Sequence, residues 1–243
     1  MKIITLGTSH GGAEKNRSCS GTLLVTEGGS YLFDCGGSME SKLRNMDFPI
    51  NEIKALFVSH MHEDHVGSLS GMVKRFNHYI KTGEVLEIYL PEEEAIDAFK
   101  VWANAMHMRG FTKTNFHTVK AGKVYDDGNV TVTAILTEHM AHQNAPSFAY
   151  VICAEGKKVL YTGDLACDFH DYPQITFEED FDAVVSELVH FNVEENASTI
   201  SKSRTKQIIF THMHPKRLDA INEAKGLFPF PITVANDGDE FII

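Results

Sequence analysis

The sequence predicts an α/β or α+β fold, and three observations carry the prediction. Short runs rich in β-branched and aromatic residues recur from one end of the 243-residue chain to the other. Between them, three longer stretches repeat apolar residues at helical spacing. No repeat, low-complexity tract or break in composition marks a linker, so residues 1–243 are expected to form one domain.

Strands are expected at Ile3–Leu6, Thr22–Thr26, Tyr31–Asp34, Ala55–Ser59, Glu87–Leu90, Val130–Leu136, Phe148–Ala154, Val159–Tyr161, Ala183–Ser186, Gln207–Thr211 and Ile232–Ala235, most of them bounded by Gly, Asp or Asn. Gly28-Gly29 and Glu155-Gly156 each stand between two such runs and read as hairpin turns. Helices are expected in three places. From Pro91 to Met108 the spacing of Ala95, Phe99, Trp102 and Met106 gives an apolar stripe, with three glutamates favouring the start. Gly67 to Ile80 carries Leu69, Met72, Val73 and Phe76; Lys216 to Phe228 carries Leu218, Ile221, Ala224 and Leu227. These stripes read as faces turned to a core.

Composition narrows the function. The formal charge of −11, with lysines and arginines scattered, argues against a nucleic-acid polymer as partner and favours a small-molecule substrate. No run of eighteen apolar residues is present, so no membrane helix is expected. The first residues are too quickly polar for a signal peptide and read as a strand. The four cysteines are far apart, without any CxxC pair, which fits free thiols in a reducing cytoplasm.

Most of the thirteen histidines gather near the ends of apolar strands. Directly after Ala55-Leu56-Phe57-Val58 come His60, His62, Asp64 and His65, four potential metal ligands within six residues. A buried strand ends at a fixed place, so the loop after it can hold ligands rigidly. His60 and His62 alternate and can point the same way, whereas Asp64 and His65 follow on a tighter turn and can face a second position. Imidazoles with a carboxylate suit Zn²⁺, Mn²⁺ or Fe²⁺. Further strand ends deliver His139 with His142 close behind, Asp164 after Gly163, and His212 with His214 two residues on.

Taken together, the HxHxDH motif, a later histidine, the TGD aspartate and the THxH histidine resemble the metallo-β-lactamase superfamily. Leu6-Gly7-Thr8-Ser9, Phe33-Asp34-Cys35-Gly36-Gly37 and Val234-Ala235-Asn236-Asp237-Gly238 extend the resemblance from the first strand to the last. Within the superfamily the chain is most similar to the ribonuclease Z and phosphodiesterase branch. The resemblance implies a four-layer αββα sandwich with two divalent ions, Zn²⁺ foremost with Mn²⁺ or Fe²⁺ as alternatives. One ion is expected on His60, His62 and either His139 or His142, and the other on Asp64, His65 and His212, with Asp164 bridging. His139 ranks ahead of His142, and His212 ahead of His214, because each follows its strand directly. The branch's tRNA-gripping arm is absent, since one hairpin joins His139 to Asp164. Relatives in this branch imply a homodimer.

Two ions sharing a water lower its pKa from about 16 toward about 7, so the expected reaction is hydrolysis by hydroxide, with Asp64 also orienting the nucleophile. Ser186-Glu187-Leu188-Val189-His190 resembles the family's glutamate-bearing strand, and Glu187 is expected to orient His190 or His214 as general acid. A small phosphodiester such as a cyclic nucleotide is the leading substrate class; lactone, thioester or carboxylic ester hydrolysis is the alternative. A tRNA 3′ endonuclease, a di-iron oxidoreductase and a non-catalytic binding protein rank below both.

Overall fold

Ile3 and Ile4 are neighbours in β1 (Lys2–Gly7), so their side chains leave opposite faces of the strand, yet both are buried. The same holds for Leu23 and Leu24 in β2 (Gly21–Thr26), for Leu32 beside Tyr31 and Phe33 in β3 (Gly29–Phe33), and for Leu56 beside Phe57 in β4 (Ile53–Phe57). Strands apolar on both faces must be covered on both faces, which is why these runs read as continuous apolar segments. The computed structural model describes residues 1–108 and 110–243.

Strands β1 to β4 continue with β5 (Leu86–Leu90), β6 (Thr114–Thr118) and, at the other edge, β14 (Glu240–Ile242), giving the order β14-β1-β2-β3-β4-β5-β6. Pairing is antiparallel from β14 to β3 and parallel from β3 to β6. The second sheet contains β7 (Gly122–Asp126), β8 (Val130–Thr137), β9 (Ser147–Ala154), β10 (Lys157–Tyr161), β11 (Ala183–Leu188), β12 (Ile208–Met213) and β13 (Ile232–Val234), in the order β13-β12-β11-β10-β9-β8-β7. It is parallel from β10 to β13 and antiparallel from β7 to β10.

Between the sheets lies a core that includes Phe33, Phe57, Tyr150, Tyr161 and Ile209. The outer face of the first sheet packs under α1 (Met39–Asn45), α2 (Glu63–Val66), α3 (Leu69–Lys74) and α4 (Glu93–Ala105) through Leu32, Leu56, Met72 and Ile96. The outer face of the second packs under α5 (Ile175–Glu178), α6 (Val193–Ile200) and α7 (Leu218–Ala224) through Leu160, Phe210, Ile200 and Ile221. These are the four layers expected. Each fully buried Leu or Phe contributes about 1.5–3 kcal/mol relative to exposure, so the middle layer contributes strongly to holding the two sheets together.

Three of the four edge strands, β6, β7 and β14, are absent from the sequence reading because Thr-Asn-Phe-His-Thr, Gly-Lys-Val-Tyr-Asp and Glu-Phe-Ile are short and mostly polar. Four helices, α1, α2, α5 and α6, also lie outside it. The stripe read on α4 is rotated: Ile96 and Ala103 are buried, while Trp102 is 61% exposed. The stretch from Gly67 to Ile80 breaks into α3 and a π-helical turn at Arg75–Tyr79, with Leu69, Met72, Val73 and Phe76 buried as expected. Among the described residues no helix is long and apolar enough to cross a membrane.

Candidate metal centre

Parallel strands deliver their C-terminal ends to one edge of the sandwich, and the histidine and aspartate motifs sit on those ends. After β4, Val58 and Ser59 lead to His60 and His62, and α2 brings Asp64 and His65 inward. The carbonyl of Ser59 accepts from Phe148 N at 2.9 Å, which fixes this loop of the first sheet on a strand of the second. His139 follows β8, Asp164 follows β10, and His212 lies within β12 at a positive φ of 43°.

Oδ2 of Asp164 is the meeting point. It lies 3.3 Å from Nε2 of His65 and of His212, 3.7 Å from His60 Nε2 and 3.8 Å from His139 Nε2. Two groups that share no residue emerge with ligand atoms within 4.8 Å of one another: His60, His62, His139 and Asp164, and Asp64, His65 and His212; a third, Asp164, His190 and His212, overlaps both. Asp164 Oδ1 and His65 Nε2 are buried with no hydrogen-bond partner. A buried polar atom left unsatisfied costs about 1–3 kcal/mol, and a divalent cation between these groups would satisfy both. Imidazole and carboxylate donors in sets of three or four fit Zn²⁺, Mn²⁺ or Fe²⁺, so the residues present fit the ions expected.

Around one of the two groups the charge balance suits a cation. Burial pushes His60 well below the ordinary histidine range, and it lowers His62 and His139, so these rings are neutral and keep a lone pair free. Burial also disfavours a charged His65, but the carboxylates of Asp164 and Asp34 outweigh it and raise that ring well above its usual value. For Asp164, burial opposes ionisation, while His212 and His65 more than reverse this and hold the carboxyl well below the usual range.

Most of the histidines are oriented by buried neighbours. Nδ1 of His65 donates to Asp34 Oδ2 at 2.7 Å, Nδ1 of His139 faces the Leu165 carbonyl at 3.2 Å, and Nδ1 of His212 faces the Ser9 carbonyl at 2.7 Å. Nδ1 of His60 lies 3.0 Å from Ser59 Oγ, whose proton goes to Asp34 Oδ2. Holding Nδ1 turns Nε2 to the centre. Sequence reasoning passed over Asp34 as an actor. It is fully buried at φ 59° and accepts from Ser59 N, Ser59 Oγ, His65 Nδ1 and Tyr161 OH. Its signal was an aspartate ending a strand before Gly36-Gly37, a place where a left-handed residue is needed.

Glu187, at 2% exposure, accepts from Leu165 N, Val189 N and His190 N, and from His190 Nδ1 at 2.9 Å. Burial disfavours charge on His190, but the bond to Glu187 and its negative charge override this and raise the ring to about 9. Nδ1 of His190 is 3.7 Å from Asp164 Oδ2, which places the ring at the edge of the centre. Two expected candidates lie elsewhere. His142 is exposed and contacts the Gln143 amide, outside both groups. His214 stacks on His10 at 4.5 Å and accepts from Lys216 N, also outside them. Each sits past the end of its strand.

A cavity of about 770 Å³ lies at the opposite ends of β10 to β12, beside Lys158, Phe181 and Arg204. Its cations are paired, Lys158 with Glu179, Arg204 with Asp180 and Lys206 with Asp182, and it holds none of the residues above. Volume alone therefore points away from the chemistry.

Similarity to known proteins follows the same geometry. The metallo-β-lactamase fold protein YhfI from Bacillus subtilis superposes with a TM-score of 0.81 at 24% identity, covering 99% of each chain. Human tRNase Z, short form, superposes with a TM-score of 0.80 at 20% identity, covering 100% of this chain and 99% of the other. A ribonuclease Z from Crocosphaera subtropica is 32% identical over 154 residues, 63% of this chain and 47% of that protein. The chain thus spans about half the length of such curated relatives. The Anti-Pycsar protein Apyc1 of Bacillus phage vB_BsuM-Goe3 is 25% identical over 183 residues, 69% of this chain and 68% of that one. Residues 1–230 match the family described as Anti-Pycsar protein Apyc1, and the chain, with its metallo-β-lactamase fold, belongs to that family.

Proposed function

We propose that this chain, acting as a single domain, is a metal-dependent hydrolase of a small phosphodiester, a cyclic nucleotide or a close analogue. The observation that carries the reading is Asp164, whose Oδ2 lies within 3.3–3.8 Å of four imidazole nitrogens while its buried Oδ1 has no partner. Ribonuclease relatives cut a phosphodiester, and a diphosphatase of the PhnP family shares the fold at a TM-score of 0.74. Both support phosphorus-ester chemistry. The formal charge of −11 and the direct β9–β10 hairpin before Asp164 favour a small substrate over a polymer. Four unpaired cysteines support a reducing, cytoplasmic setting.

His60, His62 and His139 would hold one ion and Asp64, His65 and His212 the other, with Asp164 shared. When bound, two divalent ions, Zn²⁺ foremost, supply Lewis-acid polarisation of the phosphoryl group and a water of lowered pKa. Asp34, through His65 and Ser59, keeps the ligand loop from turning. Glu187 holds His190 at Nδ1 and stabilises its cation, so the proton it gives to the departing alkoxide is the one on Nε2.

Release of p-nitrophenol from bis(p-nitrophenyl) phosphate by the Zn²⁺- or Mn²⁺-loaded protein tests the reading, with Asp164→Asn as control. Turnover abolished by the substitution, followed by hydrolysis of 3′,5′-cyclic nucleotides, is expected. Two bound ions with no phosphodiester turnover would sink it and turn the search to lactones and thioesters.

A further inference from the structure

Of the five histidines in the two groups, four reach the centre through Nε2 because a buried or backbone partner occupies Nδ1. His62 is reversed. Its Nδ1 faces inward, 3.0 Å from His60 Nε2 and 3.3 Å from His139 Nε2, and its Nε2 points out of the cluster. It is also the least enclosed of the five, half-buried where the others are buried. The atom against its outer nitrogen is Nε2 of the Gln143 side-chain amide, 3.4 Å away. Gln143 ends the exposed helical turn Ala141–Gln143, just before Asn144 at φ 54°. The same amide touches His142 at 3.1 Å, so both ends of this contact lie on one exposed segment.

We propose that Gln143 is the positioning residue for His62, and that it sets the affinity of the His60–His62–His139 group for a divalent ion independently of the Asp64–His65–His212 group. The inference rests on the two-ion reading above. A ligating nitrogen must carry its lone pair, so a neutral His62 that ligates through Nδ1 has its proton on Nε2. The neighbour of Nε2 must then accept, and a half-turn of the Gln143 amide, which puts Oε1 where Nε2 stands, supplies that acceptor. Fixing the tautomer and the ring together is how such outer partners raise ligand basicity. The second group has its orienting contacts, Asp34 on His65 and Ser9 on His212, inside the protein. The two positions therefore differ in what can disturb them.

The test is competition for Zn²⁺ between the full chain and a chromophoric chelator, resolving two equivalents per chain. Gln143→Leu removes the acceptor while keeping similar bulk, and Gln143→Glu keeps it; both are surface changes. Gln143→Leu is expected to weaken one of the two constants by about ten- to a hundredfold, the range for lost outer partners of metal ligands, and to leave the other within about twofold. Gln143→Glu is expected to match or exceed the original affinity. Equal constants in Gln143→Leu and the parent, equal weakening of both, or a Gln143→Glu variant that behaves like Gln143→Leu would overturn the proposal. A parent chain that takes up fewer than two equivalents would instead overturn the two-ion reading on which it rests.

Discussion

The Nδ1–H of His65 donates to Oδ2 of Asp34 across 2.7 Å, and neither side chain touches water. The same carboxylate takes Ser59 and Tyr161, so it joins the loop after β4, α2 and β10 at one point. Asp34→Ala strands four donors in the interior. A loss of about 3–5 kcal/mol in urea-induced unfolding is expected, the scale for removing one partner of a buried charged pair. A change below about 1 kcal/mol would show that the contact is dispensable.

Gly36 passes so close to the carbonyl of Asp64 that an added Cβ would lie 1.6 Å from its oxygen. Gly36→Ala must therefore displace α2, and with it Asp64 and His65. The expected cost is at least the 1–3 kcal/mol typical of overpacking, about the range seen in well-filled cores, together with loss of bound metal by elemental analysis. Gly12→Ala is the control, because a Cβ there meets nothing within 4 Å.

His190 and Glu187 predict a dependence on leaving group. Protonating a poor leaving group is worth about 10²–10⁴ in rate, whereas p-nitrophenolate departs without help. His190→Ala is expected to lose about that factor on an alkyl phosphodiester and far less on the p-nitrophenyl diester, with metal content unchanged. Equal losses on both substrates would assign the ring to some other task.

The sign of one pH effect follows from His170. Its Nδ1 contacts Asp168 and its Nε2 contacts Glu138 at 3.0 Å, tying the segment before His139 to the loop after β10. The hydrogen bonds to Asp168 and Glu138 raise it to about 9. A histidine raised above its unfolded value of about 6.5 stabilises fully below that pH, and its contribution fades as pH climbs through the folded value. The melting temperature of the parent should thus exceed that of His170→Gln at pH 6 and match it near pH 10. The margin is expected to be small, since the trio is exposed to solvent. A gap that widens with pH would contradict the assignment.

Much of the candidate centre was legible because its first candidate ligands are contiguous: His60, His62, Asp64 and His65 announce themselves within one loop. The later candidates could be placed because each lies at or just past the end of an apolar strand, and strand ends are fixed by the core. What escaped was whatever depends on distant pairing. Asp34 matters through His65 and Tyr161, and the latter is 127 positions away. The α4 stripe was read from spacing, but which of two overlapping apolar rows turns inward depends on β5 and β6, and the mostly polar edge strand β6 carries little signal. His139 and His142 both fit the motif; only the turn at Met140–Asn144 separates the buried ring from the exposed one.

His62 and His139 stand 77 positions apart, one beyond a strand of the first sheet and the other beyond a strand of the second. An ion shared by such a pair binds the assembled sandwich and not its halves, so its binding energy adds to the cohesion of the whole by RT ln(1 + [M]/Kd). Metal supply would then govern the lifetime of the folded chain as well as its chemistry, and starving it of metal would loosen the seam between the sheets at the rim first.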